Sequence, residues 1–238
     1  MAALPNGARA GGACTTGLTA MGIAPPERTV PVRVEQVTSQ VYTGAIPNPW
    51  STCIMSTYKI AVFVGSLRAA SFNLRLARAL EKLAPDTIEF EYASLADVPL
   101  YNQDNEMSMP PQAAKVKDLI ARADGLLFVT PEHNRSIPAA LKNAIDWGSR
   151  PWGKNSWTGK TAGIVGTSPS AAGTAMAQQH LRNILAAEGV SVLTTPEVFL
   201  QYTEGLIDDQ YTITNEGTRK FLQGWLDRYL AWVAKLAA

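Results

Sequence analysis

The chain has little cysteine, almost no net charge and no long apolar run. Its two cysteines, Cys14 and Cys53, both precede the patterned part of the sequence, which argues against a disulfide framework and a CxxC metal or redox site. The formal net charge is +1 and like charges do not form runs, so bulk electrostatic binding to nucleic acid or membrane is not expected. No stretch approaches the roughly 18 to 20 continuous apolar residues of a membrane span. We therefore expect a cytoplasmic protein that binds neither nucleic acid, membrane nor metal.

The N-terminal part of the chain differs in composition from the rest. It is rich in Gly, Ala, Pro and Thr and contains no acidic residue before Glu27. No continuous apolar segment follows a basic start, which argues against a secretory signal, whereas scattered arginines leave an organelle presequence open. The plainest interpretation is a disordered extension of residues 1–56, followed by one domain of residues 57–238.

Short apolar runs alternate with helical patterns through this domain. The expected strands are residues 60–64, 87–92, 125–129, 161–165 and 190–193, with a further extended stretch near Val198. The expected helices are residues 73–83, 112–123, 139–147, 172–187 and 218–236. Strands alternating with helices predict a parallel sheet covered on both faces. We expect an α/β flavodoxin-like three-layer sandwich with a five-stranded parallel sheet of order 2-1-3-4-5, and residues 87–92 as its half-exposed edge.

Residues 65–73, GSLRAASFN, follow the first expected strand and enter a helix. Ser66, Ser71 and Asn73 offer neutral donors, Arg68 offers a positive charge, and the helix start offers unpaired amides. This set suits a phosphate monoester. The segment lacks the GK[ST] ending of a Walker A loop and the GxGxxG of a dinucleotide site. The alternative is that Ser71 only caps the helix and Arg68 is solvated.

Residues 129–138, VTPEHNRSIP, follow the third expected strand. Pro131 and Pro138 restrict the backbone of this loop, so that its amides can face a flat heteroaromatic ring. Glu132 and Asn134 add polar groups and His133 an aromatic face, although His133 alone is better explained as an ordinary loop histidine than as a catalytic base. The first and third strands flank the switch point of the expected sheet, where ligands bind. Together the two loops predict a mononucleotide site.

A third loop, residues 166–173, contains small residues that let a ligand approach the backbone. Ser168 can reach a ring edge there, although a plain turn and helix cap explain the loop as well. We interpret His180 as a structural residue of a helix. Trp147, Trp152 and Trp157 are interpreted as packing or subunit contacts, with an acceptor site as the alternative.

Taken together, these segments resemble the NADPH-dependent FMN reductase family, which includes chromate, quinone and azo-dye reductases. The resemblance rests on GSLRAASFN, on TPEHNRSIPAALKNAIDWGSRP and on SPSAAG followed by HLR, and it spans about residues 59–234. It implies a flavodoxin-like fold, bound FMN, NADPH or NADH as donor, and homodimers that often pair into homotetramers. The chain departs from the family where His133 replaces a usual tyrosine and where Ala139, Ser170 and Thr174 replace usual glycines.

The resemblance also implies the site residues and the reaction. Around the FMN phosphate and along the isoalloxazine it places Ser66, Leu67, Arg68, Ser71, Asn73, Pro131, Glu132, His133, Asn134 and, from the third loop, Ser168. Hydride then passes from NAD(P)H to the flavin N5, and electrons leave to small acceptors such as quinones, azo compounds or chromate in a ping-pong cycle. No catalytic side chain is assigned.

Two other functions stay open at this point. An FMN electron carrier or redox-sensing protein would not react directly with NAD(P)H, although carriers of the flavodoxin type are usually strongly acidic and this chain is not. A scaffold that has lost its cofactor is the other alternative.

Overall fold

The computed structural model describes residues 57–237. The predicted extension, residues 1–56, and both cysteines therefore lie outside the described residues. The helices are α1 (Phe72–Leu83), α2 (Pro111–Arg122), α3 (Ala139–Gly148), α4 (Ala175–Ala187) and α5 (Glu216–Ala237). The strands are β1 (Tyr58–Val64), β2 (Ile88–Tyr92), β3 (Gly125–Val129), β4 (Thr161–Ser168), β5 (Ser191–Val192) and β6 (Phe199–Gln201). None of the helices in the described part of the chain has the length and apolar character to cross a membrane.

The sheet is parallel and has the order β2-β1-β3-β4-β5, which confirms the flavodoxin-like arrangement predicted from the sequence. Strand β2 lies at one edge, in agreement with its alternating apolar and acidic residues. In the centre, β1 and β3 pair in a register that sets Val64 opposite Val129. Both strands therefore end at the same level, and the loops that follow them leave the sheet side by side.

Helices cover both faces of the sheet, and successive residues of β1 point into different cores. Ile60 and Val62 pack with α1 and α5, whereas Ala61 and Phe63 pack with α2, α3 and α4. All four side chains are fully buried, because a parallel strand between two helix layers has no solvent face. Each large apolar side chain buried in this way contributes about 1.5 to 3 kcal/mol.

A sixth strand, β6, extends the predicted arrangement. It pairs in parallel with Gly166, Thr167 and Ser168 of β4, beyond the short stretch of β4 that pairs with β5. The extended stretch predicted near Val198 is thus a separate strand. Because β6 supplies new partners, β4 continues to Ser168 and does not end at residue 165 as predicted.

The start of α4 also differs from the sequence prediction. The helix begins at Ala175, three residues later than expected, because Thr174 adopts a left-handed backbone conformation with φ 75°. Gly173 has φ 54° and lies directly against the Phe199 backbone, where an added Cβ would approach to 2.4 Å. The small-residue segment before α4 is therefore a tight turn against β6.

Candidate functional site

The loops after β1 and β3 converge at the carboxyl edge of the sheet, as the sequence predicts. The Gly65 amide donates to the Val129 carbonyl at 3.0 Å. Gly65 is buried against the two prolines of the second loop, so that an added Cβ would lie 2.7 Å from Pro138 Cγ and 3.1 Å from Pro131 Cδ. Only a glycine allows this approach, and the contact fixes the first loop against the second.

The third loop is tied to the first by Asn73. Its Nδ2 donates to the Thr167 carbonyl at 2.9 Å, and the Thr167 amide donates to Asn73 Oδ1 at 3.0 Å. Both groups are buried. The structure thus gives the Asn73 side chain a protein partner, and its predicted contact with a phosphate stays a prediction.

The phosphate loop, residues 66–70, offers donors with no competing carboxylate. Leu67 and Arg68 are exposed and Ser66 is half-buried. In the region from 57 to 237, the amides of residues 66–70 have no backbone acceptor. Arg68 forms no ion pair within that region, and its guanidinium lies 4.6 Å from the centroid of the Phe72 ring. This donor set fits a dianionic phosphate at a helix start.

Ser71 is the N-cap of α1. Its buried Oγ accepts a hydrogen bond from the Leu74 amide at 3.1 Å, which was the alternative interpretation from the sequence. The two amides between them, those of Phe72 and Asn73, have no backbone acceptor among the residues that the structure describes. Ser71 therefore shapes the helix start whose free amides face the phosphate loop.

The loop after β3 folds back on itself as a two-residue turn. The amides and carbonyls of His133 and Ser136 exchange hydrogen bonds of 2.9 Å. Asn134 (φ 51°) and Arg135 (φ 64°) between them are left-handed, as a type I′ turn requires. His133, Asn134 and Arg135 are exposed. The sequence predicts a loop stiffened by its prolines, and Asn134 is the residue type that indicates this turn.

Glu132 caps a helix that the sequence did not connect with it. Its Oε2 accepts from the amides of Met176 and Ala177 at 3.1 and 3.2 Å, at the start of α4. The residue at the N-cap position of this helix, Thr174, makes no side-chain capping bond. The carboxylate therefore compensates unpaired amides and the positive helix end. The predicted contact of Glu132 with a flavin ring stays a prediction.

His180 makes a second contact between α4 and this loop. Its Nδ1 lies 3.0 Å from Ser136 Oγ, and the imidazole is exposed on the helix surface. The sequence predicts a structural role for His180 and does not place it near the site. Its position four residues after Met176 on α4 puts it beside the turn.

Ser168 ends β4 at the same edge of the sheet. It is half-buried, and its Oγ donates weakly to the Ser170 carbonyl at 3.3 Å. Among the tryptophans, Trp147 and Trp157 are fully buried and donate to backbone carbonyls, which confirms packing for both. Trp152 is 87% exposed.

The sequence profile of the NADPH-dependent FMN reductases matches residues 58–205. The chain belongs to this family. A 2-hydroxy-1,4-benzoquinone reductase from Burkholderia sp. is 50% identical over 175 residues, 74% of this chain and 96% of that protein. A quinone reductase from Pseudomonas putida is 44% identical over 177 residues, 74% of this chain and 95% of that protein. Among solved structures, the flavoenzyme NAD(P)H:(acceptor) oxidoreductase from Paracoccus denitrificans superposes with a TM-score of 0.73 and 42% identity, over 75% of this chain and 98% of that one.

Membership confirms the resemblance noted from the sequence. It assigns FMN as cofactor and NAD(P)H as electron donor, and it makes the protein an oxidoreductase. The exposed phosphate loop and the turn beside it agree with this cofactor, because free backbone amides and an arginine without an ion pair in residues 57–237 suit a phosphate next to a ring. Residues 57–237 contain no cluster of His, Cys, Asp and Glu arranged to hold a metal ion.

Proposed function

We propose that this protein is a quinone reductase in which NAD(P)H and a quinone react in turn at one FMN site. The observation that carries the proposal is the identity of 50% with a benzoquinone reductase along almost the whole of that relative. Azo compounds and chromate are further small acceptors that an open site would admit. Quinones are the proposed main class because three relatives above 40% identity are named for quinone reduction.

We propose that the phosphate loop holds the FMN phosphate. Ser66, Leu67 and Arg68 would contact it through a hydroxyl, backbone amides and the guanidinium. Ser71 and Asn73 would support it from α1, by keeping the helix start and its two free amides in place. A charge-assisted contact of the Arg68 type contributes about 1.5 to 3 kcal/mol.

The turn after β3 would form one wall of the ring site. Pro131 and the backbone of His133 and Asn134 would lie along the ring, while Glu132 holds the turn through α4. Ser168 would approach the ring from the end of β4. These residues are fixed by packing and by the type I′ turn, so their amide dipoles need little reorganisation when charge develops on a ligand.

When bound, FMN supplies a group that accepts hydride from NAD(P)H and passes reducing equivalents to the acceptor. The residues of the chain would bind and orient the cofactor and leave one side of its ring open. The exposed positions of His133 and Asn134 leave room for a flat acceptor beside the turn. Because solvent reaches these loops, protons need no dedicated acid, and we assign no catalytic side chain.

We further propose a cytoplasmic homodimer or homotetramer built from one domain of residues 57–238. Among the described residues, the three most exposed large apolar side chains are Leu100 at 79%, Met107 at 92% and Trp152 at 87%. Their segments lie together, since Arg150 approaches both Glu106 and the Tyr101 ring. Apolar groups of this size on adjoining segments are typical of subunit contacts. Light scattering of the purified full chain tests the subunit number.

The proposed reaction is tested with the purified full chain. We expect one FMN per subunit, bleaching by NADPH or NADH without oxygen, and parallel double-reciprocal lines when nucleotide and quinone are varied. Turnover with quinone, azo dye and chromate then ranks the acceptors. An electron carrier would give FMN that neither nucleotide reduces. Absence of FMN binding would contradict the proposal outright and would favour a scaffold.

A further inference from the structure

The sixth strand brings a tyrosine to the phosphate loop. Strand β6 runs beside the last residues of β4, where Thr167 Oγ1 donates to the Leu200 carbonyl at 2.8 Å. The next amide after the strand, that of Tyr202, donates to the Ser168 carbonyl at 2.8 Å. The backbone at Tyr202 is thus fixed at the carboxyl edge of the sheet, level with the candidate site.

The Tyr202 side chain stacks on the first residue of α1. Its ring centroid lies 4.0 Å from that of Phe72, with 19° between the planes. The Arg68 guanidinium carbon lies 4.6 Å from the same Phe72 centroid. Since both partners approach one ring so closely, they occupy its two faces. Arg68, Phe72 and Tyr202 therefore form a continuous stack that ends at the phosphate loop.

The segment after Tyr202 is anchored on α1, which keeps the stack in register. Arg75 donates through Nη1 to the Ile207 carbonyl at 3.2 Å and pairs through Nη2 with Asp209 at 2.9 Å. Two turns further along α1, Lys82 Nζ donates to Thr212 Oγ1 at 2.8 Å. The backbone at Tyr202 is thus fixed on β4, and the segment that follows it is fixed on α1, the helix that carries Phe72.

Arg68 has no ion-pair partner in the described residues, so the aromatic ring is the contact that restrains its guanidinium. A free arginine side chain loses much rotamer freedom when it engages a ligand. Stacking on a ring restricts the guanidinium before the ligand arrives, while its edge donors stay available. Restriction before binding raises affinity without adding a contact to the ligand.

We propose that Phe72 and Tyr202 are positioning residues that hold Arg68 in place for the FMN phosphate. This inference rests on the proposed phosphate site. It assigns a function to the sixth strand, which carries Tyr202 across to α1. It also separates two effects: Arg68 acts on the phosphate directly, and the two rings act only through Arg68.

The test compares FMN with riboflavin, which lacks the phosphate, on the full-length apoprotein. We expect Tyr202→Leu to raise the Kd for FMN about three- to tenfold and to leave the Kd for riboflavin unchanged. Tyr202→Phe keeps the ring and should restore FMN binding. Phe199→Leu is the matched control, because Phe199 is an exposed aromatic residue of β6, three residues before Tyr202 and outside the stack. Phe72→Leu replaces Tyr202→Leu if the latter does not fold.

A double-mutant cycle then decides whether the rings act through Arg68. With Arg68→Ala already present, we expect Tyr202→Leu to change the FMN Kd less than about twofold. Equal effects in both backgrounds, or equal weakening of FMN and riboflavin, would overturn the positioning role. If Arg68→Ala alone left FMN binding unchanged, the phosphate site itself would be wrong, which distinguishes the two failures.

Discussion

Asn73 on α1 and Thr167 on β4 hold each other by two reciprocal hydrogen bonds of 2.9 and 3.0 Å, although 94 residues separate them. The pair is buried, so water does not compete for either bond. It ties the helix that follows the phosphate loop to the strand that leads into the third loop. These two segments are therefore held together by the protein's own hydrogen bonds.

Removing this pair of hydrogen bonds should lower both the free energy of unfolding and the affinity for FMN. Asn73→Ala leaves the amide and carbonyl of Thr167 buried without partners, which we expect to lower the free energy of unfolding by about 2 to 4 kcal/mol. Denaturant unfolding of the apoprotein and FMN titration measure both losses. Asn183→Ala, at an exposed asparagine of α4, is the control. Equal stability of the two variants would contradict the structural role of Asn73.

The contact between Gly65 and the two prolines predicts that even a methyl group is harmful. Gly65→Ala places a Cβ 2.7 Å from Pro138 Cγ, and relieving such overpacking costs about 1 to 3 kcal/mol. We expect lower thermal stability and weaker FMN retention, measured by melting and by flavin release. Gly224→Ala in α5, where an added Cβ meets nothing within 4 Å, should instead be neutral or stabilising. Normal flavin retention in Gly65→Ala would argue against convergence of the loops.

The contacts of Glu132 predict a capping effect on α4. Glu132→Ala removes the acceptor for the amides of Met176 and Ala177, with an expected loss of about 1 kcal/mol. Hydrogen exchange at these two amides should accelerate. Glu132→Gln keeps an acceptor and should retain much of the protection. If exchange stayed slow in Glu132→Ala while the flavin spectrum shifted, Glu132 would act at the ring and not as a cap.

Tyr92 predicts a loss of stability in strong alkali. Burial and the hydrogen bond to Glu81 Oε2 at 2.8 Å raise its pKa well above the usual value. Above about pH 10 the unfolded chain releases a proton that the folded chain keeps, so the free energy of unfolding falls as pH rises. This contribution is fully present below pH 10.

Tyr92→Phe should therefore show a shallower decline above about pH 10, by up to about 1.4 kcal/mol per pH unit. Urea unfolding at pH 8 to 11 measures the difference. Tyr211→Phe, at an exposed tyrosine, is the control. Parallel pH profiles for wild type and Tyr92→Phe would show that this hydroxyl does not contribute.

Much of the architecture could be predicted from local patterns. Apolar runs such as residues 125–129 predicted the buried strands, and strand–helix alternation predicted the sheet order. The loops at Gly65 and Pro131 could be placed at one edge because parallel strands end together. The boundaries that shifted, at the end of β4 and the start of α4, depend on β6 and on the backbone at Thr174. Neither depends on local propensity.

The partners of individual side chains could not be predicted in the same way. Asn73 and Glu132 were expected near the ligand, which stays a prediction, and no local pattern indicated their protein partners, Thr167 for Asn73 and the start of α4 for Glu132. No role could be predicted for Tyr202, because a single aromatic residue after a short strand is not part of a recognisable sequence pattern. The resemblance gave the family, whereas the contacts that organise the site join segments far apart in the chain.

The sequence by itself therefore determined the alternation of strands and helices, the edge of the sheet that carries the loops, and the family. These properties follow from periodic burial and from short motifs, both of which involve residues that are close together in the sequence. The tertiary structure alone decided which polar groups are free for a ligand and which hold the protein together. That division depends on distances between remote segments, since a buried donor binds whichever acceptor the fold brings to it.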